Sequence, residues 1–459
     1  MQSTLTSLTA ISPLDGRYRQ KLEPVASYFS EYALIRYRVV AELRYYQFFL
    51  TNILHKKVSI KHIQKLIDAF DVNEALRVKE IEKKTNHDVK AVEYYVRELL
   101  KKEKFGYVEY VHFALTSDDV NAIAYGLALW DAREKVMVPH LKTLISVIAM
   151  MAKKYAAIPM LAKTHGQPAV PTTVGKELIN FAMRLAKETK QLERVCVEAK
   201  LTGAVGNYNA HVVGFPDMNW IQLSDDFIVS LGLKPNHFTT QILPADGEAH
   251  MFFHLELTNT ICIGFAQDMW RYISDGYFVQ AVNKDEVGSS TMPQKVNPID
   301  FENAEGNFGL ANALLKHFIE KLPISRLQRD LSDSTVKRSF GTALGYSILG
   351  YASCIQGLRK VSVNQMKINE DLSLHWEIVT EGIQTMLRNA GDMEAYEKVK
   401  AFSRGKHITQ EDIEIFVESL HISSARKKQL KSITPFTYIG LASTLVQKGY
   451  EYIQKEGYI

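Results

Sequence analysis

The segment GSSTMPQKVNP, which ends at Pro298, carries hydroxyl, ammonium and amide side chains between two prolines. Because proline has no backbone donor, we predict a loop here and neither a helix interior nor a central strand. Pro298 after Asn297 predicts that a helix begins near Ile299 and points its N-terminus at the loop. Ser289, Lys295 and Asn297 would then lie near a partial positive charge, which stabilises a carboxylate that gains negative charge. The alternative is a simple connector whose Gly, Ser and Pro serve only as turn residues.

Two further polar segments contain groups that can move protons or bind anions. His165 lies in KTHGQPAVP, within a stretch of three prolines that predicts a loop, and histidine moves protons readily near neutral pH. A lone histidine more often has a structural role, so that alternative stays open. In HFALTSDDVN, Thr116 and Ser117 precede Asp118 and Asp119, and this pattern predicts a helix start. Such a capping role would leave the hydroxyls free to face a ligand.

The elements that must position these groups are predicted to be helices. Apolar residues recur at a spacing near 3.5 over residues 174–199, which indicates a long helix packed lengthwise against others. Similar patterns predict long helices near residues 120–155, 248–279, 299–322 and 344–361. Because alternating strand patterns are scarce, we predict an all-α fold.

The helical pattern changes character along the chain and predicts three helical domains. Residues 1–110 contain shorter helices, residues 111–364 form a central long-helix bundle that includes the loop 284–298, and residues 365–459 contain shorter and more charged helices. Long helices with apolar stripes on more than one side need partners, so we expect oligomerisation.

Composition indicates a soluble globular protein, because 46% of the 459 residues are apolar and 23% are charged. The net charge of +4 is too small to suggest a nucleic-acid-binding surface, although it suits an anionic metabolite. The first residues lack a signal-peptide pattern, and the longest uncharged apolar run, 144–152, is too short to span a bilayer. We therefore expect a cytoplasmic protein that binds neither nucleic acid nor membrane.

The cysteines and histidines give no indication of a metal site. Cys196, Cys262 and Cys354 are far apart and form no CxxC pair, so we predict three buried, reduced thiols. The histidines show no HExxH or similar ligand spacing, and we expect no metal and no cofactor.

Taken together, TSDDVN, THGQP and GSSTMPQKVNP, in that order, resemble the fumarase/aspartase superfamily, whose members eliminate fumarate from substituted succinates. The last motif matches the superfamily signature GSSxMPxKxNP. SPLDGRY, TNHDVKAVEYY, TTQI and LQRDLSDSTVKR resemble the adenylosuccinate lyase family in its bacterial form, from about residue 5 to the C-terminus. Gln294 departs from the histidine that these enzymes often carry, whereas argininosuccinate lyases carry glutamine there.

The resemblance implies a β-elimination that releases fumarate from adenylosuccinate, giving AMP, and from SAICAR, giving AICAR. It implies that Ser289 is the general base and His165 the general acid, with His87 as a possible assistant. Lys295 and Asn297 would hold the carboxylate next to the acidic proton, and Lys295 with the helix N-terminus would favour the serine alkoxide. The loop would close over the substrate as a lid.

The remaining contacts implied by the resemblance belong to substrate binding. The succinyl carboxylates are assigned to Thr116, Ser117 and Gln241, and the nucleotide end to Arg17, Tyr18, Asn86, His87, Asp88, Arg329, Ser334, Thr335 and Arg338. The arginine fork suits phosphate oxygens. The resemblance further implies a homotetramer whose active sites are shared between subunits.

Three alternatives stay open. Argininosuccinate lyase or a fumarase-type enzyme would leave the arginines placed for a phosphate unexplained. An inactive scaffold that keeps the fold would have lost Ser289, His165 or Lys295, and all three are present. A nucleotide-binding regulator would have no use for the catalytic loop.

Overall fold

The computed structural model describes residues 6–281, 291–292 and 294–459, and most of these residues are helical. The all-α prediction is confirmed. The helices are α1 (Arg19–Phe29), α2 (Glu31–Asn52), α3 (Ile60–Asp68), α4 (Val72–Thr85), α5 (Asp88–Lys102), α6 (Ser117–Ala132), α7 (Val138–Lys154), α8 (Val174–Arg194), α9 (Asn209–Gly214), α10 (Trp220–Ser230), α11 (Asp246–Ser274), α12 (Ile299–Lys321), α13 (Ser332–Lys337), α14 (Phe340–Lys360), α15 (Gln365–Ser373), α16 (Thr380–Asn389), α17 (Ala395–Ser403), α18 (Gln410–Ser419), α19 (Ser424–Lys431) and α20 (Ala442–Lys455).

Short strands pair within the described residues as three two-stranded sheets. The strands are β1 (Pro159–Thr164), β2 (Gln167–Thr173), β3 (Glu198–Ala199), β4 (Lys234–Pro235), β5 (Phe278–Gln280) and β6 (Val361–Val363). β1 with β2 and β5 with β6 are antiparallel, whereas β3 with β4 is parallel.

The chain divides into two compact units. Unit 1 comprises Met1–His140, Glu188–Thr260 and Gly306–Gly350, and unit 2 comprises Leu141–Lys187, Ile261–Glu305 and Tyr351–Ile459. The division into three domains stays a prediction.

The predicted long helices are present with shifted ends. The helix predicted over 120–155 is α6, a π-helical turn at Arg133–Met137 and α7, while α11, α12 and α14 match the other three predicted ranges. The helix predicted over 174–199 ends earlier, at Arg194, because the chain beyond it enters β3 and pairs with β4. Cys196 lies past this helix end and is exposed, so the prediction of three buried thiols is wrong for Cys196 and right for the other two.

The helical stretch Ser117–Lys154 is long and apolar enough to cross a bilayer, with a mean hydropathy of 1.4 in its most apolar window. Half of that window is buried inside the protein. Taken alone, the stretch is weak evidence for a membrane span.

An aromatic core in unit 1 supports the loop that precedes α6. The ring of Phe49 lies 5.1 Å from that of Tyr110 and 5.0 Å from that of Phe113, measured between centroids. The hydroxyl of Tyr45, which is also buried, donates to the carbonyl of Phe113 at 3.0 Å. Packing and a satisfied phenol together fix the chain just before Thr116.

In unit 2, the proline-rich stretch around His165 is a β-hairpin and not the predicted irregular loop. Pro159 pairs with Thr173, and the register shifts between Leu161 and Lys163. A two-stranded sheet has two open edges, where a proline can lack its donor without breaking the ladder. The prolines therefore exclude a central strand but not this hairpin.

Candidate active site

A cavity of about 370 Å³ in unit 1 brings together residues that are far apart in the sequence. Its lining residues are Glu82, Asn86, His87, Asp88, Ser117, Asn121, Arg329, Leu331, Ser334 and Arg338. Seven of these were predicted to bind substrate, namely Asn86, His87, Asp88, Ser117, Arg329, Ser334 and Arg338. Two arginines, two hydroxyls and two side-chain amides around one space suit an anionic ligand with hydrogen-bonding groups.

One wall of the cavity is the junction between α4 and α5. Asn86 ends α4 in the left-handed conformation, with φ 50° and ψ 33°, and its N–H donates to the carbonyl of Glu82 at 2.8 Å. His87 caps α5, because its Nδ1 accepts from the N–H of Lys90 at 3.3 Å. Since Nδ1 accepts, the neutral ring carries its proton on Nε2. The capping role is therefore real, and it leaves Nε2 able to donate.

Asp88 holds Arg338 at the cavity. Oδ2 of Asp88 lies 2.8 Å from Nη2 of the buried Arg38. The same oxygen accepts a hydrogen bond from Nη2 of Arg338 at 3.2 Å. Burial disfavours the charged carboxylate, but the charge of Arg38 and hydrogen bonds outweigh it, so the pKa of Asp88 is lowered. Arg338 also donates through Nη1 to Oε2 of Glu31 at 3.0 Å. The guanidinium is therefore paired with two carboxylates.

Arg329 is linked to a residue predicted to bind the succinyl group. Its Nη1 donates to Oε1 of Gln241 at 3.1 Å, and its Nη2 lies 4.0 Å from Oδ1 of Asp118. Burial raises the pKa of Asp118, against the opposing charges of Lys337 and other cations. Gln241 donates through Nε2 to the carbonyl of Ala204 at 3.1 Å. Both ends of this amide are thus held in place.

The predicted helix start at TSDD is confirmed. α6 begins at Ser117, Thr116 precedes it as the cap residue, and the N–H of Thr116 donates to Oδ2 of Asp119 at 2.8 Å. Ser117 lines the cavity.

Five other predicted binding residues of unit 1 do not line this cavity: Arg17, Tyr18, Thr116, Gln241 and Thr335. The guanidinium of Arg17 lies 6.0 Å from the ring centre of Tyr18, which precedes α1, and Arg17 is exposed. Thr335 is exposed on α13, one position beyond Ser334 and so about 100° around the helix.

Unit 2 contains the predicted proton donor and anion holder. His165 and Gly166 form the tip of the β1–β2 hairpin, between the paired residues Thr164 and Gln167. Their φ angles are 54° and 72°, as the centre of a type I′ turn requires. The imidazole is exposed at this tip.

The chain before α12 holds Lys295, which is exposed and whose N–H donates to the carbonyl of Met292 at 3.0 Å. The carbonyl of Pro298 accepts from Phe301 and Glu302, so the cap residue is Pro298, one position later than the predicted Asn297. Ser289, the predicted base, lies outside the described residues.

Sequence reasoning missed a buried ion pair behind the predicted succinyl-binding residues. Nζ of Lys200 donates to Oδ1 of Asp119 at 2.6 Å, and both side chains are 0% exposed. The pattern TSDDVN predicts Asp119 only as an acidic residue in the first turn of a helix, and no pattern in the sequence predicts a role for Lys200. The local signal was limited to a lysine between two apolar residues, Ala199 and Leu201, just before TGAVGN.

Comparison with protein families identifies two matching regions. Residues 16–311 match the model described as Lyase, and residues 325–439 match the one described as Adenylosuccinate lyase C-terminal. Together these regions cover most of the chain.

Curated relatives match over nearly the full length. The chain is 46% identical over 452 residues to the adenylosuccinate lyase of Legionella pneumophila strain Corby, covering 97% of this chain and 99% of the relative. It is 44% identical over 452 residues to the enzyme of Escherichia coli K12, with the same coverage of both chains.

Solved structures share the fold at low sequence identity. The 3-carboxy-cis,cis-muconate lactonizing enzyme of Pseudomonas putida superposes with a TM-score of 0.74 at 16% identity, covering 94% of this chain and 97% of that one. The β-carboxy-cis,cis-muconate cycloisomerase of Acinetobacter calcoaceticus superposes with a TM-score of 0.70, also at 16% identity and the same coverage.

Proposed function

The chain belongs to the adenylosuccinate lyase family, and on this premise we propose how its residues perform the family's reaction. The protein is a carbon–nitrogen lyase of purine nucleotide biosynthesis. It eliminates fumarate from adenylosuccinate, giving AMP, and from SAICAR, giving AICAR. The observation that carries this conclusion is an identity of about 45% to curated adenylosuccinate lyases over 97% of the chain.

The cavity in unit 1 is proposed to receive the nucleotide end of the substrate. Arg338 and Ser334 would bind phosphate oxygens, because a guanidinium fork and a hydroxyl are suitable donors to a dianion. Arg329 and the residues at the junction of α4 and α5, Asn86, His87 and Asp88, would complete the nucleotide contacts. Arg17, Tyr18 and Thr335 remain proposed contacts on the basis of the family resemblance.

The succinyl carboxylates are proposed to bind Thr116, Ser117 and Gln241. The link between Gln241 and Arg329 supports this assignment, because it places an amide beside a permanent cation. An anionic group that replaced the amide oxygen at Arg329 would gain a charge-assisted hydrogen bond.

The chemical step is proposed to use Ser289 as general base and His165 as general acid. The base removes the proton from the carbon next to a carboxylate, which leaves an aci-carboxylate dianion that Lys295 and Asn297 stabilise. The C–N bond then breaks, its electron pair leaves with nitrogen, and His165 protonates that nitrogen. Fumarate and the free amine result. His87 is the proposed assistant to the acid, since its Nε2 can donate.

We further propose a homotetramer in which different subunits contribute to each active site, and a cytoplasmic location. Gln294 is assigned no catalytic role, because it is a spacer before Lys295.

The test is fumarate release by the purified protein from adenylosuccinate, with argininosuccinate in parallel. We expect release from adenylosuccinate alone, and we expect Ser289→Ala to lower kcat by about 100-fold or more. The adjacent Ser290→Ala is the matched control and should retain turnover. Release from argininosuccinate alone would contradict the nucleotide assignment, and near-normal turnover by Ser289→Ala would contradict the assignment of the base.

A further inference from the structure

We propose that Asp119 is a positioning residue for the succinyl end of the substrate. Its buried carboxylate sets the distance between Thr116 and Gln241 by holding the loop 202–206 against the start of α6. The inference rests on the proposed function, in which Thr116 and Gln241 bind succinyl carboxylates.

Both oxygens of Asp119 are used to join two segments of the chain. Oδ2 accepts from the N–H of Thr116 at 2.8 Å and from the N–H of Gly203 at 3.2 Å. Oδ1 accepts from the N–H of Thr202 at 3.0 Å. One carboxylate therefore bridges the cap residue of α6 and the loop that begins at Thr202.

Lys200 pairs with this carboxylate inside the protein. Its ammonium donates to Asp119 at 2.6 Å and to the carbonyl of Gly203 at 3.3 Å. Burying a carboxylate is costly unless it is paired and hydrogen-bonded, and here both conditions hold. Charge-assisted bonds in a dry site are short and stiff, so the bridge fixes the position of the loop.

The loop 202–206 in turn fixes the position of Gln241. The hydroxyls of Thr202 and Thr239 lie 2.7 Å apart, and Nε2 of Gln241 donates to the carbonyl of Ala204 at 3.1 Å. Gly206 has a φ of 85°, and a Cβ there would lie 2.2 Å from the carbonyl oxygen of Thr239. The loop backbone is thus in direct contact with the segment that bears Gln241.

A merely structural role for this network predicts a different result from a positioning role. If Asp119 only stabilises the fold, then loosening the network should weaken every ligand alike. If it positions Thr116 and Gln241, the loss should fall on the succinyl group and spare the nucleotide end.

The experiment measures product inhibition by fumarate and by AMP in the full-length protein. Thr239→Val removes one hydroxyl of the pair and keeps the side-chain shape, so we expect the inhibition constant of fumarate to rise about fivefold. The constant for AMP should stay within about twofold, because Ser334 and Arg338, the proposed phosphate contacts, lie outside this network. Asp119→Asn should show the same split with a larger rise. Thr437→Val, which breaks the exposed hydroxyl pair of Thr434 and Thr437, is the matched control and should change neither constant.

Two outcomes would overturn the inference: equal rises for fumarate and AMP, or no rise for either ligand in Thr239→Val. This variant keeps the test decisive even if Asp119→Asn fails to fold. The proposed function is judged separately by the wild-type protein, since failure to release fumarate from adenylosuccinate would refute the function whatever the variants show.

Discussion

The predicted binding residues of unit 1 and the predicted proton donor of unit 2 are held in opposite ways. Thr116 and Gln241 are connected through Asp119 and Lys200, whose side chains are fully buried. His165 stands exposed at the tip of a two-residue turn. The binding groups therefore depend on a long-range polar network, whereas the acid depends on local backbone geometry. A variant of the turn should affect activity alone, and a variant of the network should affect stability as well.

The largest expected effect is on activity at the turn. His165→Asn removes the acid but keeps a residue that tolerates the left-handed conformation, and Asn-Gly is a favoured type I′ pair. We expect kcat to fall by about 100- to 10,000-fold with little change in the melting temperature. Steady-state turnover and a thermal melt measure the two quantities.

The matched control for this prediction is His55→Asn. His55 is also exposed and has a φ of 53°. It should retain full turnover, and a large loss of melting temperature in His165→Asn would break the contrast between the two regions.

The next effect is on stability in the buried network. Lys200→Gln leaves the carboxylate of Asp119 buried without its cation, and losing one partner of such a pair costs about 3–5 kcal/mol of folding free energy. Urea or thermal unfolding measures the loss.

Lys398→Gln provides the comparison, because Lys398 pairs with Asp392 but its side chain is 45% exposed. Solvent screens such a surface pair, so its loss should lower the stability far less than the loss of the buried pair. Equal losses in the two variants would mean that burial does not set the strength of the network.

The smallest effect is a pH dependence beside the same loop. The imidazole of His211 is buried next to Gly203, and neither ring nitrogen has a hydrogen-bond partner among the described residues. Burial lowers the pKa of His211 from 6.5 to about 4, with Asp119 raising it and Lys200 lowering it. Between these values the unfolded chain binds the extra proton, so the free energy of unfolding falls as the pH drops from about 6.5 to about 4.

His211→Leu removes this titration, so the variant should lose less melting temperature than the wild type between about pH 7.5 and about pH 5. His421→Leu replaces an exposed histidine and should follow the wild-type profile. If the melting temperatures of His211→Leu and the wild type changed equally with pH, the prediction that burial lowers the pKa of His211 would be wrong.

The sequence predicted the helices and the family-specific residues, but it did not predict how they are held. Repeating apolar positions predicted α11, α12 and α14 well because such patterns are local. The end of α8 was missed because β3 pairs with β4 through residues about 36 positions away. The pairing of Arg338 with Glu31 spans 307 positions and leaves no local pattern. The bridge from Asp119 to Lys200 was missed for the same reason.

The junction between α4 and α5 constrains how this chain can change in evolution. Only Asn86 and His87 separate the helices, and one ends α4 while the other caps α5. Inserting or deleting a residue near the start of α5 would rotate the side chains around the helix axis by about 100° per residue. Asp88 would then turn away from Arg38 and Arg338. This wall of the cavity can therefore vary by substitution, whereas a change of length would dismantle it.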